Sequence, residues 1–194
     1  MNLENLKIAD AYLVHPKRFG DDRGYFQENF KLSALTNQIG FEFQVRQVNQ
    51  SMSAAGVVRG IHWADVPPGQ RKYVTVQSGA ILDFVVDLRT GSPTFGQWDY
   101  AELSATNGRA LLIGNGIGHA FLALQDNSVV TYLCSEEYNP TGERSLNPLD
   151  ARIGIDFGRL AADRGIAKLL FSPKDEAADS LEQFLQAGLL PVSA

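Results

Sequence analysis

The sequence is short of several features that would each have opened a line of function. It holds one cysteine, Cys134, in 194 residues, so no disulfide can close within the chain, and the expected setting is a reducing cytoplasm. No apolar run approaches the ~20 residues that span a bilayer. The opening MNLENLKIADAYLV lacks a basic segment followed by an apolar one, so neither a membrane span nor a signal peptide is expected. Basic residues are outnumbered, 17 Lys and Arg against 22 Asp and Glu, for a formal net charge of -5. A nucleic-acid surface needs clustered Lys and Arg, so nucleic acid is not an expected partner. A small anionic ligand stays open, because a few local arginines suffice to hold one. Only three histidines occur, His15, His62 and His119, and none has a second histidine at the close spacing of a jelly-roll metal centre. Isolated histidines make poor zinc or iron ligands, so no metal is expected.

What the chain has in plenty is turn punctuation: Gly20-Asp21-Asp22, Gly56, Pro67-Pro68-Gly69, Gly91-Ser92-Pro93, Asn107-Gly108, Gly114-Asn115-Gly116, Asp126-Asn127 and Asn139-Pro140. Between these lie short stretches rich in Val, Ile, Phe, Tyr and Thr: Phe41 to Val48, Lys72 to Val76, Ile81 to Leu88, Ala110 to Ile113 and Val129 to Cys134. Many short strands separated by turns predict an all-β sandwich or barrel. Helix signals are few and peripheral. One helix is expected over Ser33 to Ile39, stopped by Gly40, and a better one over Ser180 to Ala187, with Leu181, Phe184 and Leu185 on one stripe and Gly188 after it. Gly158 to Ala167 reads as a mobile or poorly packed connection. With 44% hydrophobic and 20% charged residues and no repeat, low-complexity tract or linker, the whole span 1–194 is expected to form a single domain.

Few residue types here can carry chemistry. His62 sits between Ile61 and Trp63 on an apolar strand; it is either a satisfied core histidine or a general base, since imidazole titrates near neutral pH. His15, beside Pro16, Lys17 and Arg18, reads as a surface residue. His119 follows three alternate glycines and either lines a pocket or caps that turn. Arg59 and Lys72 flank the Pro67-Pro68-Gly69 loop, as solvated rim charges or as ligand contacts. Strict alternation puts Arg59 and His62 on opposite faces, so both can meet one ligand only if Gly60 marks a bulge or Arg59 acts from the strand end. Phe41, Phe43 and Val45 share a face with Gln47 and Asn49, which fits either a barrel interior with a polar mouth or a strand end in solvent. Val130, Tyr132 and Cys134 share another face, with a phenol among small or apolar neighbours.

Eight segments, in order, resemble the dTDP-4-dehydrorhamnose 3,5-epimerase family over roughly residues 12 to 176. They are Phe19-Gly20-Asp21-Asp22-Arg23-Gly24-Tyr25-Phe26-Gln27-Glu28; Arg46-Gln47-Val48-Asn49-Gln50-Ser51; Gly56-Val57-Val58-Arg59-Gly60-Ile61-His62; Lys72-Tyr73-Val74; Val86-Asp87-Leu88-Arg89 through Phe95-Gly96; Gly118-His119-Ala120-Phe121; Tyr132 through Tyr138-Asn139-Pro140; and Ser172-Pro173-Lys174-Asp175. The resemblance implies an all-β, cupin-like jelly roll (a double-stranded β-helix) with short peripheral helices, one of them C-terminal. It implies a cofactor-free epimerase acting on a dTDP-linked 4-keto-6-deoxyhexose, and a homodimer that exchanges N-terminal strands.

Carried over position by position, the resemblance makes His62 the base that removes the proton alpha to the C4 ketone, with Asp175 as its dyad partner. Lys72 would stabilise the enolate oxygen and Tyr132 would return a proton to the opposite face. Arg59, Arg23 and Lys174 would hold the pyrophosphate. Gln47, Asn49, His119 and Glu143 would contact sugar or phosphate, Tyr138 would stack on thymine, and Glu28 would reach a neighbouring subunit's nucleotide. The chain departs from the family at Val48-Asn49-Gln50, where Asp-Asn-His is frequent, and at Ile117-Gly118-His119-Ala120, where Phe-Ala-His-Gly is usual. Neither departure touches the expected acid or base. Relatives that invert only C3 or only C5 look much the same, so a single-centre epimerase is the runner-up. A non-catalytic sugar-binding jelly roll and a cupin-type metal oxygenase are the readings from other classes.

Overall fold

A computed structural model describes residues 1–39 and 43–193; the expected roles of Gly40 and Phe41 fall outside them. The elements run β1 (Asn2–Asn5), β2 (Ala11–His15), β3 (Arg18–Asp21), β4 (Gly24–Gln27), α1 (Leu32–Ile39), β5 (Gln47–Ser53), β6 (Val58–Ala64), β7 (Lys72–Ser78) and β8 (Ala80–Asp87). They continue with β9 (Trp98–Ser104), β10 (Ala110–Ile113), β11 (Ile117–Ala123), β12 (Ser128–Cys134), β13 (Glu143–Ser145), α2 (Phe157–Ala162), α3 (Pro173–Glu176) and α4 (Leu181–Ala187). All ladders named here are antiparallel. Six strands form one sheet in the order β1-β2-β10-β7-β12-β5, and five form the other, β13-β6-β11-β8-β9. This is the expected jelly roll. Among the described residues the β3–β4 hairpin pairs only with itself and belongs to neither sheet.

The sheets face each other across an apolar interior in which Leu13, Val74, Val76, Leu111 and Val130 meet Ile81, Val85, Leu103, Phe121 and Ala123. Each Val, Leu, Ile or Phe fully withdrawn from water there contributes about 1.5–3 kcal/mol relative to exposure. The outer face of the five-stranded sheet is covered as well: Ile61, Trp63, Leu82, Phe84 and Leu122 pack against Phe157 and Ala161 of α2 and Leu181 and Phe184 of α4. That double cover explains why β8 is buried at every position. On the far side, α1 lays Leu35 and Ile39 on Tyr73 and Leu112, with Phe43 beside them.

The predicted helices form, with α4 capped by a reciprocal Ser180–Gln183 box at its start and by left-handed Gly188 (φ 65°) at its end. Two expectations need correction. The strand expected from Phe41 begins only at Gln47: residues 44–46 are exposed and irregular because Phe43 turns into the α1 cluster instead of continuing a sheet. The segment Gly158 to Ala167, expected to be a loose connection, carries most of α2. Asp156 caps that helix by accepting a hydrogen bond from the Arg159 amide, and Phe157 and Ala161 bury its inner face.

Candidate active site

Two strands of the six-stranded sheet change character along their inward faces. On β12 that face reads Val130, Tyr132, Cys134; on β7, running the other way, it reads Val76, Val74, Lys72, and the register pairs Val130 with Val76 and Cys134 with Lys72. The interior is therefore apolar at one end and polar at the other. At the polar end lies a cavity of about 210 Å³. Asn49 and Ser51 of β5, Lys72 of β7 and Tyr132 of β12 line it from one sheet, and Arg59 and His62 of β6 with His119 and Phe121 of β11 from the other; Gln70, Tyr138 and Glu143 close the rim.

Arg59 and His62 reach the same cavity because β6 bulges. His62 pairs with His119 and Arg59 with Phe121, so two residues of β6, Gly60 and Ile61, oppose the single Ala120. Gly60 adopts φ +116°, and a Cβ there would lie 2.4 Å from the His119 carbonyl oxygen, so the bulge requires glycine. The alternation conflict in the sequence is resolved by this one residue.

Behind His62 stands Asp175, 3% exposed. Its Oδ1 lies 2.7 Å from His62 Nε2 and accepts from Ser145 Oγ at 3.0 Å. Ser172, the cap of α3, fixes the turn by accepting from the Asp175 amide at 3.1 Å. Burial pushes the Asp175 carboxyl up, but the hydrogen bonds from His62, Ser172 and Ser145 outweigh it and hold the group below the usual carboxylate range. An ionised acceptor on Nε2 keeps the proton on that nitrogen and leaves Nδ1 with the free lone pair; the tautomer is assigned from this partner. A second pair lies nearby: His119 Nε2 is 2.6 Å from Oδ1 of fully buried Asp83. Burial raises the Asp83 carboxyl, with His119 pulling the other way, and its Oδ2 has no hydrogen-bond partner among the described residues.

Across the cavity, burial, then Cys134 and Glu143, raise the Tyr132 phenol, against the opposing pull of Asn49 and Arg59. Tyr132 is thus held protonated at neutral pH, the state a proton donor needs. Lys72 is 5% exposed, and its ammonium forms no ion pair among the described residues. Arg59 is braced by donating from Nε to Ser53 Oγ at 3.1 Å and from Nη2 to the Met52 carbonyl at 3.2 Å. Glu143 is carried on β13, which a two-pronged Arg144–Asp65 pair clamps to β6, at 2.8 and 2.6 Å.

Of the residues expected from the sequence, His62, Lys72, Tyr132, Asn49, Arg59, His119, Tyr138 and Glu143 meet in this cavity, with Asp175 directly behind. Lys174 faces an adjoining depression that shares Arg59 and His62 with it. Gln47 does not line the cavity; its amide is engaged by Asn49 and by the Tyr138 backbone. Arg23 and Glu28 are not brought in either. Arg23 is exposed on the hairpin and paired with Asp21, and Glu28 pairs with Lys31 at 3.2 Å. His15 lies towards the surface, 3.0 Å from Glu4. Sequence reasoning missed Ser51, Gln70, Phe121, Asp83 and Ser145. Ser51 continues the Gln47, Asn49 face by strict alternation, and Asp83 interrupts the apolar run Ile81 to Val86, so both carried a signal; Gln70 and Ser145 carried none. Among the described residues no three His, Cys, Asp or Glu side chains gather as a metal-binding group. A second depression, of about 280 Å³, is bordered by Arg89 and Pro191. There the guanidinium is engaged by Asp87, Asp10 and the Ala9 carbonyl, and no histidine or tyrosine reaches it.

Comparison with known proteins agrees with this geometry. A family model described as dTDP-4-dehydrorhamnose 3,5-epimerase matches residues 5–183. The chain is 45% identical, over all its length and 92% of the relative's, to a protein named dTDP-4-dehydrorhamnose 3,5-epimerase in Mycolicibacterium smegmatis. It is 41% identical, over all its length and 90% of the relative's, to one named dTDP-4-dehydrorhamnose 3-epimerase in Streptomyces niveus. The solved structure of the RmlC epimerase of Mycobacterium tuberculosis superposes with a TM-score of 0.94 at 42% identity, covering 99% of this chain and 94% of that one. A family match across nearly the whole chain, on a jelly roll whose polar end holds the histidine, lysine and tyrosine that the motifs marked, places it: the chain belongs to the dTDP-4-dehydrorhamnose 3,5-epimerase family.

Proposed function

We propose that the protein epimerises a dTDP-linked 4-keto-6-deoxyhexose at C3 and C5, the two carbons flanking the ketone. The observation that carries this reading is that His62 and Tyr132 line one cavity from opposite sheets, so that a hexose bound between them has a base on one face and an acid on the other. His62 removes the proton from C3 or C5, and the electron pair moves onto O4 as the C–H bond breaks. The Lys72 ammonium, itself buried, offsets the charge developing on that oxygen. Tyr132 then protonates the same carbon from the other side, inverting it. His62 releases its proton to solvent and Tyr132 regains one, so the cycle balances. Asp175 orients the imidazole and stabilises its cationic form, while Arg59 and Lys174 hold the pyrophosphate, and Asn49, His119 and Glu143 contact sugar or phosphate.

Tyr138, exposed at the rim, supplies a flat surface for thymine. The unit of function is a homodimer that exchanges its N-terminal strands, bringing Arg23 and Glu28 to a neighbour's site. In support, the β3–β4 hairpin stands apart from both sheets and exposes Phe19, Tyr25 and Phe26, the last at 67%. Residues 1–194 act as one domain, and the setting is the cytoplasm, in keeping with a single, buried, free thiol.

Proton NMR of dTDP-4-keto-6-deoxyglucose in heavy water tests the chemistry. Loss of signal at both C3 and C5 is expected, and His62→Asn abolishes it. Wild-type exchange in that variant defeats the assignment. Loss at C3 alone favours the second reading, a single-centre 3-epimerase, which the Streptomyces niveus relative's name supports.

A further inference from the structure

Strand β13 is three residues long, yet it joins the two halves of the dyad, which lie 113 residues apart in the chain. On one side it pairs with β6, with Ser145 directly opposite His62 and the Arg144–Asp65 pair locking the ladder. On the other it holds the α3 segment. Ser145 Oγ donates to Asp175 Oδ1 at 3.0 Å. Asn147, two residues on, donates from Nδ2 to the Glu176 carbonyl and from its amide to the Asp179 carbonyl, both at 3.0 Å. Glu143 and Ser145 share a face of the strand by alternation. The first reaches the cavity, and the second reaches the carboxylate behind the imidazole. The oxygen that Ser145 meets is the same Oδ1 that lies 2.7 Å from His62 Nε2.

We propose that Ser145 is a positioning residue for the His62–Asp175 dyad: its hydroxyl holds the shared oxygen against the ring and takes up part of its charge, so that the imidazole is oriented without being locked as imidazolium. This rests on the proposed role of His62 as the base. A carboxylate oxygen offers two lone pairs, and here one meets the imidazole and the other the hydroxyl. A second donor disperses the anion's charge and leaves less of it to stabilise a proton gained by the ring. Against the raising effect of burial, Ser145 is one of three donors that hold the Asp175 carboxyl low, with His62 and Ser172. A base that must take a proton from carbon and then release it to solvent needs that balance. The other charged or titratable groups facing His62 are Arg59 on β6, His119 on β11, Glu143 on β13, Lys72 on β7, Tyr132 on β12 and Lys174 on α3. A change confined to the Ser145 hydroxyl leaves all of them in place.

A purely structural hydroxyl would leave the pH profile where it is, and this one should not. The test is the initial rate of deuterium incorporation at C3 and C5, followed by NMR across the pH range, with a thermal melt of each variant. Ser145→Ala removes a donor and makes the carboxylate a stronger partner for imidazolium. The acid limb of the exchange profile should therefore move up by about half a unit to one unit. On that limb the rate changes about tenfold per pH unit, so exchange there should fall about 3- to 10-fold. The plateau at higher pH and KM should stay within about threefold, since Ser145 does not line the cavity. Ser145→Thr keeps the hydroxyl and should restore the wild-type limb. Ser145→Cys, a weaker donor, should give a smaller shift and carries the test if the alanine variant does not fold. In an Asp175→Asn background, Ser145→Ala should barely move the limb, because it acts through the carboxylate. An unmoved limb in whichever deletion variant folds, the full shift in Ser145→Thr, or an undiminished shift in the Asp175→Asn background overturns the proposal. If His62→Asn exchanges at the wild-type rate, the base assignment falls and the role of Ser145 with it. If His62→Asn abolishes exchange while Ser145→Ala keeps the wild-type limb, the role of Ser145 alone falls.

Discussion

Replacing Asp175 by Asn leaves the shape of the dyad and removes its charge. In the native protein the carboxylate is almost wholly buried, 2.7 Å from His62 Nε2, with Ser145 donating to the same oxygen. An amide oxygen can still accept from Nε2–H, so the tautomer and ring position survive. What disappears is the anion that stabilises imidazolium once His62 has taken a proton from carbon. A hydrogen bond to a charged group is worth about 1.5–3 kcal/mol, and ~1.4 kcal/mol is a factor of ten, so C–H deprotonation should slow about 10- to 150-fold. The assay is the initial rate of solvent deuterium incorporation at C3 and C5 under saturating substrate, with a thermal melt as a folding check. KM should move little, because Asp175 lies behind the imidazole rather than in the cavity. Exchange within twofold of wild type in a folded Asp175→Asn protein would refute the dyad and leave His62 acting alone.

Three further outcomes follow from the same geometry. Gly60→Ala places a Cβ 2.4 Å from the His119 carbonyl at φ +116°; a loss of about 3 kcal/mol is expected, read as a melting temperature lower by about 6–12 °C, and an unchanged melt contradicts the required bulge. Ser51→Ala deletes a buried hydroxyl that has no hydrogen-bond partner among the described residues. Stability should hold within about 0.5 kcal/mol while KM rises several-fold, whereas a large stability loss would mean that the hydroxyl serves the fold. The depressed Asp175 pKa fixes the sign of an acid effect. Its ionised form stabilises the protein above the unfolded carboxylate value of ~3.9, and that contribution drains away as pH falls below it towards the native value. Melts between pH 5 and pH 3 should therefore fall more steeply for wild type than for Asp175→Asn, and parallel curves would contradict it.

How much of this the sequence disclosed depends on whether a feature is local. Strand positions were legible because turn residues bracket short β-branched runs, and Ala110–Ile113 emerged with its limits unchanged. The late start of β5 was not, because Phe43 is drawn aside by Leu35 and Ile39, residues whose relevance appears only once α1 docks. The helix α2 was hidden by Gly158 and a mixed stretch after it, since what holds it is burial of Phe157 and Ala161 rather than propensity. The separation of Arg23 and Glu28 from the cavity is likewise a matter of where a hairpin lands, which no local pattern encodes.

The site itself follows a rule that can be checked along a single strand. An inward face of a sandwich strand should be apolar at every second residue, because any polar group there must find a partner out of water. On β8 the inward face reads Ile81, Asp83, Val85, and on β11 Ala123, Phe121, His119, with the imidazole and the carboxylate brought to 2.6 Å. On β7 it reads Val76, Val74, Lys72, and on β12 Val130, Tyr132. Four inward faces, two neighbours in each sheet, break their alternation, and each break supplies a different chemical type: acid, imidazole, ammonium and phenol. A packing accident would scatter such groups among separate satisfied pairs. Here Lys72 stays outside the ion pairs among the described residues, and the Ser51 hydroxyl on the same cavity wall has no hydrogen-bond partner among them, so a ligand that brings polar groups of its own meets both.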